Sequence, residues 1–380
     1  MKVGLFLTYD YSIQTWEDSG TLEKELFIYS KIYENYGIKF IIFSYGFEID
    51  KKIVSNLDPK FTEGIEIVPI YSLYKYRKSK YLRFIKSFFI FKELKKYMKE
   101  IDIIQQHQLY GSWVSILSSK VYKKPIYIRT GYDTLLFSII ENKKKTKVYF
   151  NFLLTKYSLR LSNLYSVTSQ QDYKFLSDKF KKNDSKIVVR ENWVMSVKSK
   201  KIKYRNKNEI LSVGRLVDQK NFRLLISEFK NFNMNLNFTI IGKGSEKNNL
   251  LNFAKEVNIN LDIIDGLPNN KIIEMMKERV FYISTSKIEG NPKTILEAMS
   301  CGCIVLASDI PAHRELISNK ITGFLFQIDN ESLLQTFINI LNNDKLLDYV
   351  SSEASKFVNE NYNLELIASK YFEDYQMLNI

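Results

Sequence analysis

Two glutamates, Glu289 and Glu297, stand with seven residues between them in the stretch KIEGNPKTILEAM, residues 287–299. Were the stretch helical throughout, they would lie about 12 Å apart along the axis and roughly 80° apart around it. Pro292 opposes that geometry, because the residue before a proline avoids the α region and proline suits the first helical position. The stretch therefore predicts Glu289 on a loop, Asn291 near an N-cap, a helix over about 292–301 started by Pro292, and Glu297 about a turn and a half into it. A loop carboxylate and a helix carboxylate at one helix N-terminus could grip a ligand. The same residues also read as a capped amphipathic helix in which Ile295, Leu296 and Met299 are packing.

Other groups that could do chemistry follow predicted strands. In GRLVDQKNF, Arg215 and Lys220 flank a short loop before a helix that begins near Asn221, a good place for an anion, though such cations are more often simply solvated. Gly242 and Gly244 in GKGSE permit close backbone approach to a ligand and equally suit a tight turn. Ser19-Gly20 enters a helix and is compatible with phosphate contact. It is not a Walker loop, and no Gly-x-Gly-x-x-Gly fingerprint follows the first strand. His107 in IIQQHQLYG directly follows a predicted buried strand, whereas His313 in DIPAHRELI reads as structural. Two distant histidines and Cys301-Gly302-Cys303 have no zinc spacing, so no metal site is expected. Gly302 reads as a helix end before a buried strand.

Short apolar runs alternate with amphipathic helices along the chain, the pattern of parallel sheets covered on both faces. Strands are predicted at 2–7, 39–45, 65–70, 101–106, 125–130 and 164–169, then at 209–214, 237–242, 261–265, 280–285, 303–308 and 323–327. In the second half helices fall at about 219–230, 246–257, 269–278, 292–301 and 311–317. The basic, aperiodic stretch 195–209 reads as a domain linker. The expected domains are 1–195 and 196–362, with an amphipathic C-terminal helix over 363–380 expected to pack back on the first. Tandem doubly wound domains bind ligands at the carboxyl ends of their strands, in the cleft between them.

At 380 residues, 45% hydrophobic and 26% charged, the chain has the composition of an ordinary globular protein with two or three domains. Two cysteines make no disulfide framework and point to a reducing compartment. The start, MKVGLFLTYDYS, reads as a first buried strand and not as a signal peptide, and no apolar run is long enough to cross a membrane. The net charge of +14 admits a nucleic-acid binder, a protein resting on an anionic membrane, or a lysine-rich proteome. It is concentrated in residues 71–100, where ten Lys/Arg, Lys78, Lys80 and Arg83 among them, face only Glu93 and Glu100 and interleave with aromatics. Basic side chains beside an apolar aromatic face suit an interfacial helix on anionic lipid, or a domain helix with aromatics in the core and lysines in water. No nucleic-acid-binding motif accompanies the charge, so nucleic acid is not expected as a partner.

The motifs SVGRLVDQKN, IIGKGSE, YISTSKIEGNPKTILEAMSCGCIVLASDIPAHRELI and TGFLF, in that order over residues 208–330, resemble those of the retaining, GT-B-fold glycosyltransferases of family 4. The paired glutamates are the most specific part. Over the N-terminal half the likeness is weaker, through Ser19-Gly20, His107 and IRTGYD. The resemblance implies two Rossmann-like domains facing across a cleft, with the acceptor on the N-terminal domain and a UDP- or GDP-linked sugar donor on the C-terminal one. It implies that Arg215 and Lys220 hold the donor diphosphate and Glu297 the ribose. Glu289 would lie by the donor sugar as the catalytic carboxylate, with His107 as a second catalytic candidate. Gly20, Gly290, Asn291, Lys293 and Thr294 would meet the donor. It also implies retention by same-face attack, with neither metal nor cofactor.

The implied function is a hexosyl transfer, retaining and metal-independent, to a lipid-linked glycan of bacterial surface polysaccharide such as lipopolysaccharide or capsule. The enzyme would be cytoplasmic and peripheral on the inner membrane face, with Lys78, Lys80 and Arg83 toward acceptor or membrane. The alternative is a non-catalytic nucleotide-sugar-binding or scaffold protein of the same fold. The chain departs from the family pattern in keeping one glycine at Ser19-Gly20, in Tyr132-Asp133 where many members have His-Asp, and in Asn291-Pro292-Lys293 where a Phe-Gly-Leu type of triplet is commoner.

Overall fold

The computed structural model of the chain describes residues 1–232, 234–328 and 331–379, without the side chains of 182–184. Ile380, the last residue of the helix expected over 363–380, lies outside the described residues. The chain divides into two units, Met1–Glu191 with Glu365–Ile380, and Asn192–Leu364. The first break falls at Asn192 because that residue is strapped to the second unit. Its backbone N–H donates to Asn291 Oδ1 at 3.1 Å and its Nδ2 to the Asn291 carbonyl at 2.7 Å.

The first unit carries seven parallel strands: β1 (Lys2–Phe6), β2 (Lys39–Ser44), β3 (Ile65–Pro69), β4 (Ile103–Gln106), β5 (Ile126–Arg129), β6 (Leu164–Val167) and β7 (Ile187–Val189), in the order β3-β2-β1-β4-β5-β6-β7. The second carries six: β8 (Asn206–Val213), β9 (Asn237–Ile241), β10 (Asn260–Ile264), β11 (Arg279–Ser284), β12 (Ile304–Ser308) and β13 (Phe324–Phe326), in the order β10-β9-β8-β11-β12-β13. Both are doubly wound sheets whose winding reverses beside the first strand, at β1/β4 and at β8/β11. A sheet buried on both faces needs apolar residues at consecutive positions. In the second unit Ile210, Phe281 and Ile304 lie in one core layer, while their chain neighbours Leu211, Tyr282 and Val305 lie in the other. That is the two-residue alternation of a strand read on both faces.

Several elements differ from the sequence reading: β7 was not expected, and the helix expected at 311–317 is only Pro311–Arg314. The stretch expected as a linker through 209 is strand from Asn206, because its polar residues start β8 at the sheet rim, with Asn206 opposite Arg279. The basic aromatic segment is not one helix but three short ones, Lys80–Ser87, Ile90–Glu93 and Lys95–Met98.

The last helix, Leu364–Leu378, is fixed to the first unit by a buried carboxylate. Asp374, fully buried, accepts from Arg190 Nε at 2.8 Å and Nη2 at 2.6 Å and from the Tyr127 hydroxyl at 3.0 Å. Phe372 stacks on Tyr36 with centroids 4.1 Å apart. Asp374→Ala would leave a guanidinium uncompensated and should destabilise the first unit by about 3–5 kcal/mol in chemical denaturation; a loss below about 1 kcal/mol would mean the pair does not hold the helix.

Candidate functional site

Ligands of open α/β sheets bind outside the strand ends where the winding reverses. In the second unit that point lies between the loop after β8, residues 214–221, and the loop after β11, residues 285–292. Glycines let the neighbouring loops close up. A Cβ on Gly242 would fall 1.9 Å from the Gly214 carbonyl oxygen, and one on Gly244 would fall 2.2 Å from that of Leu216. The backbone N–H of Leu216 then donates to the Lys243 carbonyl at 2.9 Å. Three further bonds tie the loop after β8 to the loop after β11. Thr285 Oγ1 donates to the Lys220 carbonyl, Gln219 Nε2 to the Ile288 carbonyl and the Lys287 N–H to the Gln219 carbonyl, each at 2.9 Å.

These loops bring together Lys220 and Glu289, whose side chains are only 15% and 10% exposed. Lys220 Nζ donates to Glu289 Oε1, and Ser286 Oγ donates to the same oxygen at 2.6 Å. Oε2 takes part in none of the described bonds. Burial alone would push the Glu289 carboxyl up; the Lys220 ammonium and the two bonds outweigh it and hold the group below the usual carboxylate range. Arg215 stands exposed on the same loop, its Nη2 3.1 Å from Gln219 Oε1.

The helix Lys293–Ser300 starts one residue later than the sequence implies. Pro292 occupies the cap position at φ −71° and ψ 105°, and Asn291 faces the Asn192 strap instead of capping the helix. Pro292 contributes no side-chain cap, and Lys293 and Thr294 lie half-buried in the first turn of this helix. Its leading N–H groups are donors of the kind that anions and hydroxyls use. Gly290 and Asn291 are buried beside them. Glu297, 4% exposed, accepts from Asn269 Nδ2 at 2.8 Å. Glu289, Gly290, Asn291, Lys293, Thr294 and Glu297 thus lie on one loop and helix start, with Lys220 and Arg215 on the loop that is bonded to it.

Sequence reasoning missed Ser286, Asn269 and the setting of His313. The last is fully buried, with Nδ1 2.7 Å from the Ser308 carbonyl, so Nδ1 carries the proton. Its Nε2 has no hydrogen-bond partner among the described residues. Burial pushes its pKa down to about 4, with the Glu289 charge acting in the opposite direction, so a neutral imidazole neighbours the carboxylate. The available signal was its place just after β12, on the same sheet end as Glu289.

In the first unit, His107 follows β4 at the reversal point and is 6% exposed. Its Nε2 lies 3.2 Å from Glu25 Oε2 and its ring 5.2 Å from that of Trp16. Gly20 sits at φ 69° just before the helix Leu22–Tyr36 that carries Glu25. Lys78 and Lys80 are exposed. Arg83 is not available at the surface as expected. It is 7% exposed, with Nη2 2.8 Å from Asp10 Oδ2 and Nη1 on the Arg77 and Lys78 carbonyls. Among the described residues no three His, Cys, Asp or Glu side chains are grouped to hold a metal ion, and no helix is long and apolar enough to cross a membrane.

Residues 196–357 match the family model for glycosyl transferases group 1. The match contains Arg215, Lys220, Glu289 and Glu297. An uncharacterized glycosyltransferase of Haemophilus influenzae is 30% identical over 199 residues, 51% of this chain and 56% of that protein. The N-acetylgalactosamine-N,N'-diacetylbacillosaminyl-diphospho-undecaprenol 4-alpha-N-acetylgalactosaminyltransferase of Campylobacter jejuni is 36% identical over 140 residues, 36% of this chain and 38% of that protein. The chain thus spans about half or less of the length of these curated relatives. The structure of Anabaena HepE in complex with UDP and glucose superposes with a TM-score of 0.76 at 13% identity, covering 99% of this chain and all of that one. The fold is GT-B, the two-domain α/β fold of these glycosyltransferases.

The buried histidine gives the second unit an acid-sensitive term. His313 is neutral when folded, whereas the unfolded chain takes up a proton there below about pH 6.5, so stability falls as pH drops from 6.5 toward 4. The loss is on the order of 3 kcal/mol. Urea titrations at about pH 7.5 and pH 4 should show the wild type losing that much more than His313→Gln; equal losses would contradict it.

Proposed function

We propose that this protein is a retaining glycosyltransferase moving a sugar from a UDP- or GDP-linked donor to a glycan acceptor, a lipid-linked intermediate of bacterial surface polysaccharide. The observation that carries the reading is the Lys220–Glu289 pair at the β8/β11 reversal point, inside the segment that matches group 1 glycosyl transferases. Arg215 and Lys220 neutralise the diphosphate as it leaves, with the start of the helix Lys293–Ser300 turned to sugar and phosphate oxygens. Glu297 accepts from the ribose hydroxyls. Glu289, anchored through Oε1, presents Oε2 to the donor sugar, where its negative charge stabilises the positive charge that develops at the anomeric carbon. With two cations placed for the leaving group, the mechanism runs without a divalent metal.

The first unit takes the acceptor, with His107 at its reversal point. The Campylobacter relative supports the acceptor class, since its name specifies a diphospho-undecaprenol-linked glycan and an alpha linkage. An alpha product is what retention yields from an alpha-linked nucleotide sugar. The HepE complex with UDP supports a uridine donor. Such an acceptor supports a peripheral enzyme on the inner face of the cytoplasmic membrane.

A thermal-shift panel of UDP- and GDP-sugars identifies the donor. On that donor, Glu289→Gln should lower kcat by about 10²-fold or more with donor KM little changed. Glutamine keeps a hydrogen-bond acceptor for Lys220, which alanine would not. Unchanged kcat would refute the role of Glu289, and donor binding by the wild type without turnover on any lipid-linked acceptor would favour a scaffold.

A further inference from the structure

The helix Lys80–Ser87 is inside out. Its buried side chains are Arg83 and Ser87, one turn apart, while Tyr81, Leu82 and Ile85 are 84%, 51% and 58% exposed. Just past its end Phe88 and Phe89 are 38% and 47% exposed. A helix folded onto a core turns its apolar stripe inward. Here the Arg83–Asp10 ion pair, with the Tyr71 hydroxyl on the same carboxylate, fixes the opposite rotation.

A second segment of the same unit shares the character. Ile139 and Ile140 end the helix Thr134–Ile140 at 40% and 48% exposure, and Tyr149 and Phe150, early in the helix Lys145–Leu161, are 63% and 40% exposed. Between them Lys143, Lys144, Lys145 and Lys147 are all exposed, and the one acid, Glu141, is paired with Lys143 at 3.1 Å.

The two segments flank the start of one helix, Ser112–Tyr122. The Trp113 ring lies 5.5 Å from Phe84 and 6.3 Å from Phe88, and its Nε1 donates to Ser87 Oγ at 2.8 Å. Three residues earlier, the Tyr110 ring lies 6.2 Å from that of Phe150, and its hydroxyl donates to Asn151 Oδ1 at 2.8 Å.

We propose that these segments form one membrane-inserting face. Tyr81, Ile85 and Phe89 from the first and Ile139, Ile140 and Tyr149 from the second enter the acyl boundary of an anionic bilayer. Lys78, Lys80 and the lysines at 143–145 and 147 meet lipid phosphates. The proposal deepens the membrane location given above and rests on it. Two occupants fit exposed apolar side chains, hydrocarbon or another apolar protein face. A second copy of this chain would set lysine against lysine, whereas a bilayer supplies hydrocarbon and negative charge together. The face lies on the bilayer and does not cross it.

Flotation with vesicles of phosphatidylcholine alone, and with about 30% phosphatidylglycerol added, tests this. The wild type should float with the anionic vesicles. The double variants Tyr81→Ser/Ile85→Ser and Ile139→Ser/Ile140→Ser should each bind about tenfold more weakly, and their combination about a hundredfold, since both act on one surface. Should a serine variant lose its thermal transition, Lys144→Glu/Lys147→Glu takes its place with a similar loss expected. If the variants at 139–140 and 144–147 float like the wild type while Tyr81→Ser/Ile85→Ser does not, the composite face is wrong and the membrane location stands. If the wild type never floats, both fall, while donor binding in the thermal-shift panel still decides the enzymatic reading. A concentration-dependent dimer without flotation, lost in the same variants, would put a second copy on this face and overturn the proposal.

Discussion

The arrangement of the second unit depends on a lysine and a carboxylate held together out of water. Desolvating Lys220 and Glu289 costs several kcal/mol per ion, which their attraction repays only with good geometry and further hydrogen bonds. The surroundings supply that geometry. Ser286 adds a second donor to Glu289 Oε1, and two glycines let the loops after β8 and β9 interlock. Three hydrogen bonds fasten the loop carrying Lys220 to the loop carrying Glu289. A buried pair is weak evidence for stability, since apolar replacements often do as well. Its place at the end of the sheet where a ligand can reach both strand ends fits a role in binding charge.

The apolar runs made most of the architecture legible, because a parallel sheet buried on both faces needs continuous hydrophobic strands. The helices expected at 269–278 and 292–301 are Asn269–Glu278 and Lys293–Ser300. What did not show in the sequence depends on contacts between distant residues. Asn291 looked like a cap because it precedes a proline, yet its side chain is taken by Asn192, far away in the chain. Pro292 looked like a first helical residue and is the cap itself. Glu289 read from the sequence only as a loop residue; its burial against Lys220 makes replacement by alanine costly.

The basic aromatic segment shows the same limit more sharply. Its composition allowed aromatics in the core with lysines in water, or aromatics outward among lipids. Composition cannot choose between them, because the choice rests on Asp10, which sits about seventy residues earlier and draws Arg83 inside. With that pair made, Tyr81, Leu82 and Ile85 of the helix Lys80–Ser87 face outward, while Ile90, Leu94 and Met98 further along still reach the core. Part of the net charge of +14 thus belongs to two lysine-bearing segments around one helix start, and not to an even coat of surface lysines.

The central claim is that the second unit binds a nucleotide sugar with its diphosphate at Arg215 and Lys220 and its sugar at Glu289. A crystal structure with the donor's nucleoside diphosphate bound tests it most directly. Diphosphate oxygens within hydrogen-bond distance of Arg215 and Lys220, and ribose hydroxyls on Glu297, are the predicted result. A nucleotide bound elsewhere, with Lys220 and Glu297 keeping only their present partners, would contradict it.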